Sequence, residues 1–261
     1  MSHHQNSHFA TSHQELSLYA YISAQRQPQL FKILSGITGM APESFFNHHL
    51  VFRPRQPKIS PSAADLFYIQ LVSRVPADDT REYKPREQGW SMRLNDIPEV
   101  TRKPVVSRAV YSANTGAGDA IEFVEELGYA YIPPSPPIPL AVLLTRKSDR
   151  LQTPYFTEND RFIHNNVIIT LSRTYTPSPS TTAAEPPAGD KVFGSPFPRD
   201  ALKLVDPSGG WVLQAAVRVG SNTDVENINV GVAELRALKE NLKGVCDVDV
   251  VERLALDTRV R

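Results

Sequence analysis

The chain has 261 residues, 41% of them hydrophobic, and its 28 Lys and Arg are matched by 28 Asp and Glu. Zero formal net charge excludes a protein that tracks a nucleic-acid backbone or an anionic membrane by bulk electrostatics. A lone cysteine, Cys246, excludes an intrachain disulfide, and no apolar run reaches the roughly 20 residues needed to span a bilayer.

Residues 1–13 are polar and aperiodic, and they lack both the basic start and the apolar run of a secretory signal. The composition predicts a disordered tail, leading into one domain over 14–261. In the run from Glu15 to Ile22, Leu16, Leu18 and Ala20 alternate with Ser17, Tyr19 and Tyr21, the period of a strand. Pro28 to Gly39 reads as a helix, with proline in its first turn, Leu30, Ile33, Leu34 and Ile37 on one face, and glycine at its end. A strand from Ser44 is stopped by Pro54, a proline-rich basic loop runs to Pro61, and Asp65–Val75 is the next β-rich run. A charged connection over 76–88 reads as a solvated loop, and Gly89–Leu94 as a short strand.

The stretch from Arg102 to Tyr131 reads as strand, glycine-rich turn, helix, strand. Val105 to Tyr111 is β-branched with an aromatic tip. Ala120, Phe123, Val124 and Leu127 share a helical face, and Gly128 ends that helix. Thr115-Gly-Ala-Gly-Asp119 invites a phosphate-cradle reading. It lacks the Gly-Lys-Ser/Thr ending and the third glycine, and Asp119 puts a negative charge where phosphate would sit. Asp119 fits better as the cap of the helix that follows.

Five of the eight residues in Ile132–Pro139 are proline, a run that suits polyproline II and not a sheet interior. A short strand at Leu140–Thr145 is possible on pattern, and the chain then reads as irregular to Asp160. Arg161–Tyr175 reads as one long strand, and 176–200, rich in Pro, Ser and Thr, as a disordered loop. Trp211, Leu213, Ala215, Val217 and Val219 line one face of a strand, with Gln214 and Arg218 on the other. Ser221–Asp224 offers caps for a helix striped by Ile228, Val232, Leu235, Leu238 and Leu242, which Gly244 ends. The last stretch, Cys246–Asp257, reads as a strand or irregular tail.

Many β runs with only about three helices do not give the alternation of a doubly wound sheet. The expected fold is mainly β (α+β): a multistranded antiparallel β-barrel with about three flanking helices.

Five blocks of the sequence, in order, resemble the family of subunit 18 of the Mediator complex. They are the opening strand and helix with the aromatic strand ending at Pro54, GWSMRL at Gly89–Leu94, DAIEFVEELGY at Asp119–Tyr129, NNVIITLSRTY at Asn165–Tyr175, and the closing strand and helix over 211–244. Together they cover about half the chain. No counterpart is expected for 133–160, an insertion or a gene-model artefact. The resemblance implies a nuclear, non-enzymatic subunit of the Mediator head module, a β-barrel coupling regulators to RNA polymerase II. It further implies pairing with the similarly folded Mediator subunit 20 and acceptance of a C-terminal helix of Mediator subunit 8.

The alternative is a triphosphate-tunnel phosphohydrolase, which needs acidic side chains alternating along strands to hold metal. The strands lack a Glu-x-Glu pair, and the nearest approach, Asp247-Val-Asp249, reads as a solvated edge. His48 and His49 fall on opposite faces of a strand and cannot chelate one ion together, while His3, His4, His8 and His13 belong to the expected tail. Cys246 has no activating neighbour in its local sequence. The sequence therefore assigns no catalytic, cofactor or metal residue, and partner-binding residues are left unassigned.

Overall fold

A 13-residue strand, β1 (Ala10–Ile22), carries the core of the molecule on one of its faces: Leu16, Leu18, Ala20 and Ile22 are all buried. The computed structural model describes residues 10–54, 67–75, 85–100, 103–115, 119–131, 155–177 and 202–258. After β1 come α1 (Gln27–Thr38), β2 (Glu43–Pro54), β3 (Ile69–Val75), β4 (Ser91–Asn95), β5 (Val106–Asn114), α2 (Ala120–Glu126) and β6 (Tyr129–Tyr131). The order continues with β7 (Tyr155–His164), β8 (Val167–Pro177), β9 (Leu202–Leu204), β10 (Trp211–Val219) and α3 (Val225–Asn241).

Every strand pairing is antiparallel. The path β10-β1-β5-β4-β3-β2-β7-β8 closes on itself because β10 also pairs with β8, giving an eight-stranded barrel. Among the described residues, the expected mainly β barrel with about three flanking helices is thus the observed architecture. Strands β6 and β9 stand outside the ring, against β2 and β8.

Alternation along each strand gives the barrel two unlike faces. On the outer face, Leu16, Leu18, Phe162, Ile169, Leu171, Leu213 and Ala215 pack beneath Leu30 and Leu34 of α1 and Leu235 and Leu238 of α3. Farther round, Leu50, Phe52, Ile69, Leu71 and Trp90 pack beneath Ala120 and Val124 of α2. Each large apolar side chain buried this way contributes about 1.5–3 kcal/mol. The helices have local causes: Pro28 lies in the first turn of α1, and Gly39, at φ +68°, donates its amide to the Ser35 carbonyl. Phe31 of α1 meets Phe162 edge-on, the ring centroids 5.6 Å apart.

α3 lies tightly against the wall at Gly231. A Cβ added at Gly231 would lie 2.9 Å from Val217 Cγ1 and 3.1 Å from Leu16 Cδ1. Val217 is β-branched and buried, so it cannot swing aside. Gly231→Ala should therefore destabilise the fold by about 1–3 kcal/mol, against the ~1 kcal/mol alanine adds in helix propensity. Gly36→Ala, in the exposed part of α1 with open space around it, should have the opposite sign, stabilising by about 1 kcal/mol. Urea midpoints of the two variants check the contrast.

The structure departs from the expected boundaries in three places. Ala10–His13, expected in the tail, extend β1 and pair with Val110–Ala113 of β5; the strand continues in polar residues because one side of it faces a polar interior. Arg161–Tyr175, expected as one strand, lies within a hairpin, with Asn165 and Asn166 turning the chain and Asn165 at φ 53°. Asparagine tolerates that left-handed conformation, which is why the turn hides inside a β-rich run. β7 begins at Tyr155, inside the segment expected to be irregular, and Tyr155–Arg161 pair with Glu43–His49 of β2. Cys246–Asp257 holds a bridge between Asp249 and Tyr19 and a short 3-10 turn at Arg253–Leu256. The remainder of the expected tail, 1–9, most of 133–160 and most of 176–200 lie outside the described residues.

Candidate functional site

The inner face of the barrel wall mixes buried apolar side chains, Val51, Val72, Val106, Val110 and Ala216, with polar ones, and the same pairings that bury leucine outside bring charge together within. Glu15 of β1 lies opposite Arg108 of β5 and Arg218 of β10. Arg108 grips the carboxylate through Nη2 at 2.8 Å and Nε at 3.0 Å, and Gln214 Nε2 adds a donor at 3.3 Å. The two charged side chains are only about one-eighth exposed, at 12% and 11%. Arg93 of β4 faces the same interior. Burial, and then the neighbouring Arg218, lower its affinity for its proton. Tyr155 is pushed up to about 12 by burial, so its phenol stays a hydrogen-bond donor.

Nearer one rim, Glu43 bridges Arg74 and Arg161, and their hydrogen bonds hold its carboxyl below the usual range, Arg161 contributing most. Both guanidinium groups lie over the Phe45 ring, 4.7 and 5.2 Å from its centroid. The strand alternation hid this interior, because a polar face toward a lumen and a polar face toward solvent have the same period.

The histidines divide as expected between the two faces. His48 is on the outside, stacked 4.4 Å from Phe156 and tilted against Trp90 at 5.4 Å, and burial drives it well below its ordinary value. His49 is inside, stacked 4.4 Å from Tyr155 with Nε2 3.0 Å from Thr157 Oγ1, while its Nδ1 is sealed without a partner. Burial, helped by Arg93, lowers His49 to about 3. His13 is in β1 and not in a tail; burial and then Arg218 lower its affinity for a proton.

A histidine neutral in the fold is protonated first in the unfolded chain, so its contribution is intact above pH 6.5 and is lost as pH falls toward its folded value. Between pH 7 and pH 5, His49 alone should cost about 2 kcal/mol of stability. His49→Gln should flatten the fall in urea midpoint between those two pH values.

The other singled-out residues have structural work. Asp119 caps α2, accepting from the amides of Ile121 and Glu122 at 3.0 and 3.1 Å, as the sequence reading expected of it; residues 116–118 lie outside the described residues. Asp249 pairs its backbone with Tyr19 and its carboxylate with Lys239 at 3.1 Å. Cys246 is half-buried beside the outer core, and burial, with Asp247 adding to it, pushes its thiol up to about 11. Among the described residues no three of His, Cys, Asp and Glu stand together as metal ligands, and no helix is long and apolar enough to cross a membrane.

The outside offers contact surface. Phe123 and Leu127, one turn apart on α2, are 49% and 52% exposed, and among the described strands β6 and β9 each pair on one edge only.

The fold is similar to a chain in the structure of the Schizosaccharomyces pombe Mediator head module, with a TM-score of 0.66 at 20% identity, covering 91% of this chain and 98% of that one. In sequence, the chain is 25% identical to the Mediator of RNA polymerase II transcription subunit 18 of Yarrowia lipolytica, over 95% of this chain and 100% of that protein. It is 27% identical to the subunit of the same name from Aspergillus fumigatus, over 95% of this chain and 99% of the relative. The family model described as Med18 protein matches residues 14–133 and 146–259, so the stretch without a counterpart shrinks from the expected 133–160 to 134–145. Both matched stretches carry ring strands, β1 to β5 in the first and β7, β8 and β10 in the second, and on that correspondence of family match to barrel the chain belongs to the Med18 protein family.

Proposed function

We propose that this protein is a non-enzymatic subunit of the Mediator head module, acting in the nucleus as part of the link between regulators and RNA polymerase II. The observation that carries the reading is the family match along almost the whole ring. The barrel pairs with Mediator subunit 20 and receives a C-terminal helix of Mediator subunit 8. Such a helix would bury apolar side chains at i, i+3, i+4 and i+7 against the barrel exterior. The exposed Phe123 and Leu127 and the edges of β6 and β9 that pair with no described strand are surfaces of the kind that such partners cover.

Chemistry supports the non-enzymatic reading. Among the described residues the two inward carboxylates, Glu15 and Glu43, are each held by arginine, where a metal-dependent phosphohydrolase needs free carboxylates side by side. Co-expression with the subunit 20 and subunit 8 relatives from the same source, followed by size-exclusion chromatography, tests the partners.

A further inference from the structure

The acid on α2 has no counterpart within the chain. From Ala109 to Thr145 the sequence holds no Lys or Arg, and its acids there, Asp119, Glu122, Glu125 and Glu126, all belong to α2 or its cap. Asp119 is used in capping the helix. The carboxylates of Glu122, Glu125 and Glu126 make no ion pair among the described residues.

Two of those acids stand where they cost the helix. The negative end of the helix dipole lies at the last turn, which carries Glu125 and Glu126 and no basic residue. Glu122 and Glu126, one turn apart, add like-charge repulsion. A helix as short as α2, already dependent on its packing, gains nothing from this arrangement by itself. A cation brought alongside would relieve both the repulsion and the clash with the dipole.

The apolar exposure runs beside the acid. Ala120 and Val124 are buried against the wall. The Leu127 amide donates to the Phe123 carbonyl at 3.1 Å, so these two side chains follow one another along the helix, 49% and 52% exposed. Glu122 and Glu126 precede them by one residue each, and form a parallel lane about 100° round the helix, also exposed.

We propose that this face of α2 is a docking site for a basic amphipathic helix of a partner protein. Apolar side chains of that helix at i and i+4 would lie on Phe123 and Leu127, and its Lys or Arg lane on Glu122 and Glu126. Charge decides the occupant, since a second copy of this chain would set the same carboxylates against each other. So short a face is smaller than a standard interface, so the contact is weak and salt-sensitive and supplements a partner's main attachment. The inference rests on the reading that other subunits cover the outside of this barrel, and it adds the chemistry of the segment that reaches α2. Its test uses the chain alone, so it can fail while the three-chain complex still forms.

The probe is a fluorescent, alanine-based peptide of about 18 residues, long enough to be helical by itself, with leucine at i and i+4 and lysine along the adjoining lane. Titrated with the full chain and followed by anisotropy, it should bind saturably with a Kd on the order of 0.1 mM or tighter at low salt, and severalfold more weakly at physiological salt. The same peptide with glutamate for lysine should not bind. Glu122→Lys with Glu126→Lys should weaken binding about tenfold or more, and Phe123→Ser about fivefold. Glu240→Lys with Glu252→Lys, at exposed acids away from α2, changes the net charge equally and should leave binding as it was. Because Glu126→Lys places a cation at the helix C-terminus, amide exchange in Ala120–Glu126 should slow in the α2 double variant even as binding is lost, which separates lost docking from a lost helix. No saturable binding of the lysine peptide, equal binding of the glutamate peptide, or equal weakening by the Glu240 and Glu252 changes overturns the proposal. So does a chain that dimerises through α2 and ignores the peptide.

Discussion

Arg108→Ala should lower the unfolding free energy by about 3–5 kcal/mol, measured by urea denaturation at neutral pH. The figure is the cost of leaving one charge of a buried pair without its partner. Glu15 and Arg108 qualify, being 11% and 12% exposed with two guanidinium nitrogens on one carboxylate oxygen. The same pair at an exposed site would contribute about 0–1 kcal/mol. The double variant Glu15→Gln, Arg108→Met removes both charges and keeps volume, and should recover most of the loss, because the expense is in the stranded carboxylate more than in the absent attraction. A single-variant loss below about 1 kcal/mol would show that water enters the lumen freely enough to solvate Glu15.

Trp90→Ala is the second large effect, expected at about 3–5 kcal/mol. Trp90 is 2% exposed, with its indole Nε1 donating to the Pro85 carbonyl at 2.7 Å. It forms the floor on which Ala120 and Val124 of α2 sit, beside Leu71 and Phe52. A helix as short as α2 has too few turns to hold itself in water and depends on that floor. Amide exchange in Ala120–Glu126 should therefore accelerate more in Trp90→Ala than exchange in α3, which packs on a separate part of the outer face. Trp90→Phe keeps the ring and loses the indole donor, so it should cost far less. Equal acceleration in both helices would mean that the barrel opens as a whole and that α2 has no separate dependence on Trp90.

The barrel was legible where one side of a strand is apolar and the other polar. Leu16, Leu18 and Ala20 against Ser17 and Tyr19, or Trp211 to Val219 against Gln214 and Arg218, are patterns that only a two-faced strand produces. The Asp119 cap was legible too, because its partners are the next few amides of the same chain. What escaped was non-local. Closure between β8 and β10 pairs Ser172 with Val212, and no local pattern records it. The meeting of Arg93, Arg108, Arg218 and Glu15 needs three strand pairings at once. Net charge is silent on placement for a related reason. A total of zero says nothing about where the charges lie, and here arginine collects inside while much of the acid, including Glu122 and Glu126 of α2, remains exposed outside. The partners of the Glu15–Arg108 pair and of Glu43 were individually visible as polar residues in strands, but only the register makes them ion pairs.

The central claim is that this barrel works by holding other subunits. Its most direct measurement is the elution of the chain after co-expression with the relatives of Mediator subunits 20 and 8 from the same source. The account predicts one stoichiometric three-chain peak that survives physiological salt, as an interface burying upwards of roughly 1,200 Å² would. A folded chain that elutes alone as a monomer, with both partners present and soluble, would contradict it.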